Sequence, residues 1–148
     1  RGEKAVLVAQ MLKARPRDIV HVQRHRAVRE AGRLMAEHDI GALLVRDGEA
    51  TCGILSERDI ARGVARQGTR LADMPIEALM TTEVITCAPG DDAVDLMRTM
   101  VRHGIRHLPV RIGDRLVGMV SIRNIVQARL DELEHEQTAL RDYVAGRT

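Results

Sequence analysis

Two four-residue phrases carry most of the polar chemistry in this sequence, Ser56-Glu57-Arg58-Asp59 and Ser121-Ile122-Arg123-Asn124. Each sets a serine three residues ahead of a side chain with an acceptor oxygen, at the start of an apolar-periodic stretch. That pattern caps a helix N-terminus and is worth about 0.5–2 kcal/mol. The same place suits an anion. Free backbone N–H groups and the positive end of the helix dipole favour phosphate. A serine hydroxyl can donate to a phosphate oxygen, and an ionised Asp can accept from both hydroxyls of a ribose. Capping and ligand binding are both open on the residues alone. Arg58 and Arg123 read either as a solvated helix face or as planar forks of donors for phosphate. Asn124 has one acceptor oxygen and no charge where the first phrase has Asp59, so a grip on ribose there would be neutral. Arg106-His107 adds two donors to the second phrase, where the first has Gly41-Ala42.

Other chemistry is weaker. His21/His25 and His103/His107 sit four apart, a metal-ligand spacing on a helix, but each pair straddles an expected element boundary. No metal site is assigned. Cys52 and Cys87 lack CxxC spacing and an orienting third group, so no thiol nucleophile is assigned and they read as buried, inert thiols. Two cysteines make no disulfide framework, which fits a reducing cytoplasm. No nucleophile–base set points to an enzyme. Residues 1–29 hold eight Arg or Lys against Glu3 and Asp18, while residues 131–142 hold five acids against Arg141. The basic third reads as solvated surface, because Tyr143 is the one aromatic residue and base-stacking platforms are lacking. A net charge of +2, 45% hydrophobic and 30% charged residues describe a globular chain, not a disordered tail. No apolar run reaches spanning length and no secretory leader is expected.

The elements that position these residues come twice. Displacing the chain by 65 residues lays Arg33–Ile60 over Arg98–Ile125 with 12 identities in 28 positions. Chance would give about two, so the repeat is real. Each copy predicts a β-branched strand (Asp18–Val22; Glu83–Cys87), then a helix with Val28, Ala31, Leu34 and Met35, or Ala93, Leu96, Met97 and Met100, on one face. Two strands follow, Ala42–Val45 and Cys52–Leu55 or Leu108–Ile112 and Leu116–Val120, joined through Asp47-Gly48 or Gly113-Asp114. A last helix starts after each capping serine. The order is β-α-β-β-α, twice, and neither copy has much core alone, so the two are expected to pack as one pseudo-symmetric unit. The division expected is a lead-in over 1–16 with an amphipathic helix from Lys4 to Ala14 ended by Pro16, repeats over 17–72 and 73–130, and a helical extension over 131–148. The linker Gly68–Met80 has room for one or two helical turns. The last helix is expected to run to about Val144, with Val126, Leu130, Leu133, Gln137, Leu140 and Val144 in a heptad seam. It either folds back on its own module or pairs with a second subunit, and its length favours the second.

Ile105-Arg106-His107-Leu108-Pro109-Val110, then Leu116–Ile125, resembles the second half of a CBS-domain pair, or Bateman module. Ile40–Val45 and Gly53–Ile60 repeat the signature. The likeness runs from about Arg17 to Leu130 and is that of a stand-alone bacterial pair. It implies an α/β fold of the α+β type, two tandem repeats of mixed sheet and helices packed as a pseudo-two-fold pair, and a long C-terminal helix. It also implies a cleft between the copies that holds an adenine nucleotide or related adenosyl ligand: AMP, ATP, NAD(H) or S-adenosylmethionine. On that resemblance Ser56 faces phosphate and Asp59 holds ribose, with Ser121 and Asn124 as the uneven second half-site. Arg58, Arg123, Arg106 and His107 serve phosphate. With almost no aromatics, Ile19, Ile40, Val84 and Ile105 are the aliphatic walls for the base, each of which ordinary core packing would also explain. The function expected is a cytoplasmic, non-catalytic sensor that needs no cofactor. It acts as a homodimer on an unknown protein partner, with neither nucleic acid nor membrane. The alternative is a structural or protein-interaction dimer with a vestigial, unliganded cleft.

Overall fold

The computed structural model describes residues 6–14 and 19–146. They fall into two compact units, 19–85 and 6–14 with 86–146. In the first, β1 (His21–Gln23) leads to α2 (Val28–His38), β2 (Ala42–Asp47), β3 (Ala50–Ser56) and α3 (Glu57–Gln67). Two 3-10 turns, Gly68–Asp73 and Ile76–Ala78, close it. The second contains α1 (Val8–Ala14), α4 (Ala93–His103), β4 (His107–Ile112), β5 (Arg115–Ser121) and α5 (Ile122–Val144). The mixed α/β architecture of two repeats and a long last helix is the one expected.

The hairpins are built alike. Gly48 and Gly113 open two-residue loops at φ +64° and +59°, a region where a side chain would be strained. Both hairpins shift register at the same place, between Val45 and Arg46 and between Val110 and Arg111. In the first unit β1 runs parallel to β2, with Val22 opposite Val45. Val28, Ala31 and Met35 of α2 are buried in a core with Leu43, Val45, Leu55, Leu71 and Ile76. In the second unit Ala93, Leu96 and Met100 of α4 are buried, as are Leu108, Val110, Val120 and Ile125. Burying each Leu, Val or Ile contributes about 1.5–3 kcal/mol.

Two expectations differ from what forms. The strand expected over Glu83–Cys87 shrinks to one parallel bridge, Cys87 to Val110. In the first unit the ladder is carried on by Arg24 N–H, which donates to Arg46 O at 2.9 Å. Pro89 stands at the corresponding place and has no N–H to give. The strand expected over Asp18–Val22 forms as His21–Gln23, with Asp18 outside the described residues.

The lead-in forms a helix, whose expected ends Lys4 and Pro16 lie outside the described residues. It packs on the second repeat, not the first. Val8 N–H donates to Asp91 O at 3.0 Å and Ala9 N–H to Pro89 O at 2.9 Å. In the first unit Ile76 N–H donates to Arg26 O and Glu77 N–H to Arg24 O. The bridges Leu7–Asp92 and Ala27–Pro75 match in the same way. The lead-in therefore does for the second repeat what the linker does for the first. Its register moves from 65 to 68 residues, which is why the ungapped overlay did not reveal it.

Candidate functional site

Both capping phrases sit where a strand hands over to a helix. In the first unit Ser56 ends β3 and caps α3. Its hydroxyl accepts from Asp59 N–H at 3.3 Å and donates to Asp59 Oδ2 at 3.1 Å. The same Oδ2 accepts from Ser56 N–H at 3.0 Å. In the second unit Ser121 caps α5 with the same geometry, and Asn124 Oδ1 accepts from Ser121 N–H at 2.8 Å and Oγ–H at 2.9 Å. Asn thus reproduces the box without a charge. Capping is realised at both helix ends.

The capping box leaves specific atoms for other chemistry. Asp59 Oδ1 lies outside the box and faces the Thr81 hydroxyl at 3.5 Å, a long and weak contact. The Ser56 hydroxyl proton can turn to an anion, because Ser56 N–H and Asp59 N–H would keep the box closed. Thr81 was missed by the sequence reading. Its backbone is tied to Ile54 in both directions, at 3.0 and 2.9 Å, which brings the linker end beside Asp59. The shifted register places Lys13 at the matching point of the second unit, so the overlay carried no signal for it.

The remaining candidates spread around these ends. Arg58 and Arg123 are exposed on the first turns of α3 and α5. Arg106 is exposed just before β4, and its carbonyl accepts from Ile122 N–H at 2.9 Å. His107 opens β4 directly across from Ser121. Cross-strand neighbours stand about 4.5–5.5 Å apart at Cβ, so His107 is brought to the second capping serine. Ile19 and Val84 are half-buried, outside any regular element. Ile40 is half-buried and packs against the core of the first unit. It lines an open hollow of about 330 Å³ with Gly32, Met35, Ala36, Asp39, Glu57 and Ile60, and neither Ser56 nor Asp59 lines it. Ile105 follows α4 as Ile40 follows α2, with matching N–H bonds to Met100 O and Met35 O.

The histidine pairs do not share a helix face. His103 ends α4, Gly104 turns left-handed, and His107 begins a strand. His21 opens β1 and His25 lies beyond it. Among the described residues no group of three or more His, Cys, Asp or Glu is placed to hold a metal ion. Cys87 is buried, and burial followed by the charge of Asp91 pushes its thiol up to about 12. It stays protonated at neutral pH and is a poor nucleophile.

The family pattern of the CBS domain matches residues 14–66 and 76–131. The chain belongs to the CBS-domain family and carries two copies of the domain. It is similar to a CBS-domain protein from Burkholderia ambifaria, at 40% identity and a TM-score of 0.82, over 86% of this chain and 96% of that one. It is also similar to a mitochondrial CBS domain-containing protein of Arabidopsis thaliana, 36% identical over 124 residues, 80% of this chain. The matched stretches span 60% of that plant protein and 63% of a 17.7 kDa relative from Acidianus ambivalens. A third likeness is to the CBS-domain pair of protein MJ0100, solved with 5′-methylthioadenosine and S-adenosylmethionine. There the identity is 25% and the TM-score 0.73, over 83% of this chain and 98% of that one. Among the described residues no helix is long and apolar enough to cross a membrane.

Proposed function

We propose that this chain is a non-catalytic regulatory module of the cytoplasm that binds an adenosyl small molecule as a homodimer. The ligand is AMP, ATP, NAD(H) or S-adenosylmethionine. The observation that carries this reading is the first capped helix end. There Asp59 Oδ1 lies outside the capping box and Ser56 can redirect its hydroxyl proton. In this reading Asp59 accepts from ribose, and Ser56 with Arg58 meets phosphate or another polar group beyond the ribose. Ile19, Ile40, Val84 and Ile105 wall the base. The second half-site, Ser121, Arg123, Asn124, Arg106 and His107, is richer in donors and holds ribose less well. Support comes from the adenosyl ligands bound by protein MJ0100. The ligand signals only through different affinities for two states, in shape or in partner binding.

A second reading is an interaction module whose half-sites stay empty. The capping boxes favour it, because they give Ser56 and Ser121 a purely structural use. A thermal-shift panel of AMP, ATP, NADH and S-adenosylmethionine separates the two, since a ligand selective for the native state raises Tm. At 100 times its Kd a ligand adds about 2.7 kcal/mol. A rise with at least one ligand is expected, and a flat panel refutes the sensor.

A further inference from the structure

The two half-sites differ in charge at matching positions. Around the first capping box stand Gly41, Ala42, Glu57, Asp59 and Thr81, and around the second Arg106, His107, Ile122, Asn124 and Lys13. Two carboxylates and no cation at these positions become two cations, a histidine and no carboxylate. All but Lys13 follow the 65-residue repeat. Packing brings Lys13 to its place. A Cβ at Gly53 would stand 2.8 Å from Met80 Sδ, and one at the matching Gly118 would stand 2.8 Å from Leu12 Cδ2. Leu12 thus sits on the second hairpin as Met80 sits on the first, and Lys13 follows Leu12 as Thr81 follows Met80. Lys13 is exposed on the last turn of α1. Arg106 is tied to the second capped end by its carbonyl, which accepts from Ile122 N–H at 2.9 Å, and His107 stands across from Ser121. Among the described residues the carboxylates of this unit lie away from that end. Asp91 and Asp92 accept from Ala88 and Val94 N–H at the start of α4, and Asp95 pairs with Arg98 on α4. Asp114 is in the hairpin turn, and Asp131, the first acid of α5, is about two turns beyond Asn124. Lys13, Arg106 and Arg123 thus come from three segments with no carboxylate among them, and an anion relieves their mutual repulsion.

We propose that the second half-site selects the phosphate chain of a nucleoside di- or triphosphate, and that Lys13, which lies outside both matched repeats, sets this preference. The inference rests on the adenosyl-binding reading above and chooses within it. Neutral Asn124 grips ribose weakly, so affinity at this end comes from phosphate and rises with the number of phosphates. Of the ligands named above, ATP carries the most negative charge and is favoured. The positive sulfonium of S-adenosylmethionine is repelled by the same cations.

The test is calorimetric titration of the full chain with ATP, AMP, NADH and S-adenosylmethionine, at fixed salt and without divalent cations. Wild type is expected to bind ATP most tightly, with an advantage over AMP of about fivefold that shrinks as salt rises. Lys13→Met keeps an apolar stem and a good helix former and removes the charge. It is expected to weaken ATP by about five- to tenfold and AMP by less than about twofold, and Lys13→Arg should restore ATP binding. Arg115→Met removes an equal charge from an exposed position six residues back along β5 from Ser121, about 20 Å away, and should leave both affinities unchanged. Wild-type ATP affinity in Lys13→Met, equal losses for ATP and AMP, or the same loss in Arg115→Met overturns the role of Lys13 and leaves the sensor reading standing. Tightest binding of any ligand other than ATP does the same for the phosphate preference. No binding of any of the four by wild type overturns both.

Discussion

Asp59→Asn separates the two uses of the first capping phrase. Asn124 already shows an amide in the same box, with its oxygen 2.8 and 2.9 Å from Ser121 N and Oγ. Asn at 59 should therefore keep both bonds that Asp59 Oδ2 accepts, at 3.0 and 3.1 Å. Its NH2 would take the place of Oδ1 and could donate to Thr81 Oγ1, now 3.5 Å away. The fold loses only a negative charge at a helix N-terminus, about 0.3–1 kcal/mol. The ligand loses more. A hydrogen bond to a charged group contributes about 1.5–3 kcal/mol against about 1 for a neutral one. The difference of about 0.5–2 kcal/mol corresponds to a rise in Kd of about two- to thirty-fold. Asp59→Ala would also lose the cap, about 0.5–2 kcal/mol, and so could not tell the two uses apart. The assay is calorimetric titration of wild type, Asp59→Asn, Asp59→Ala and Asn124→Ala with whichever ligand raises Tm most, alongside urea unfolding. A folded Asp59→Asn protein with wild-type Kd would reduce Asp59 to a cap and refute the ribose assignment. Equal losses for Asp59→Ala and Asn124→Ala, each of which opens its own box, would refute the unequal half-sites.

Gly53→Ala should destabilise more than Gly118→Ala. A Cβ at Gly53 would stand 2.8 Å from Thr81 O, a backbone atom held by Ile54, whereas at Gly118 it would stand 2.8 Å from Leu12 Cδ2, the end of a flexible side chain. Overpacking of about 1–3 kcal/mol is expected at Gly53 and less at Gly118, and equal urea midpoints would contradict the linker's fixed position. Cys87 should resist iodoacetamide in the native protein at pH 8 and react on unfolding, since its thiol is pushed up to about 12. Above its ordinary value of 9.0 the unfolded chain gives up this proton first, so stability falls as pH rises toward 12. Wild type should therefore lose more stability between pH 8 and 10.5 than Cys87→Val, and parallel losses would refute the burial argument.

The tandem repeat, the hairpins and both capped helices were legible because they are local. Alternation, helical periodicity, Gly48 and Gly113 in their turns, and Ser three residues before Asp or Asn each act over a few neighbouring residues. Contacts made at long range were not legible. Whether Glu83–Cys87 becomes a strand depends on a partner at Val110 and on an N–H that Pro89 lacks. The lead-in joins the second repeat through hydrogen bonds to Pro89 and Asp91, far along the chain and three residues out of the repeat's register. Thr81 reaches Asp59 only because the linker folds back onto Ile54. The sequence by itself determined the elements, their order, their duplication and the residue types at each helix end. Tertiary structure decided which oxygens those caps leave over, that Thr81 comes beside Asp59, and that the lead-in packs on the second repeat. Local propensity acts between near neighbours, whereas these features are spaces and bonds between segments brought together only by packing.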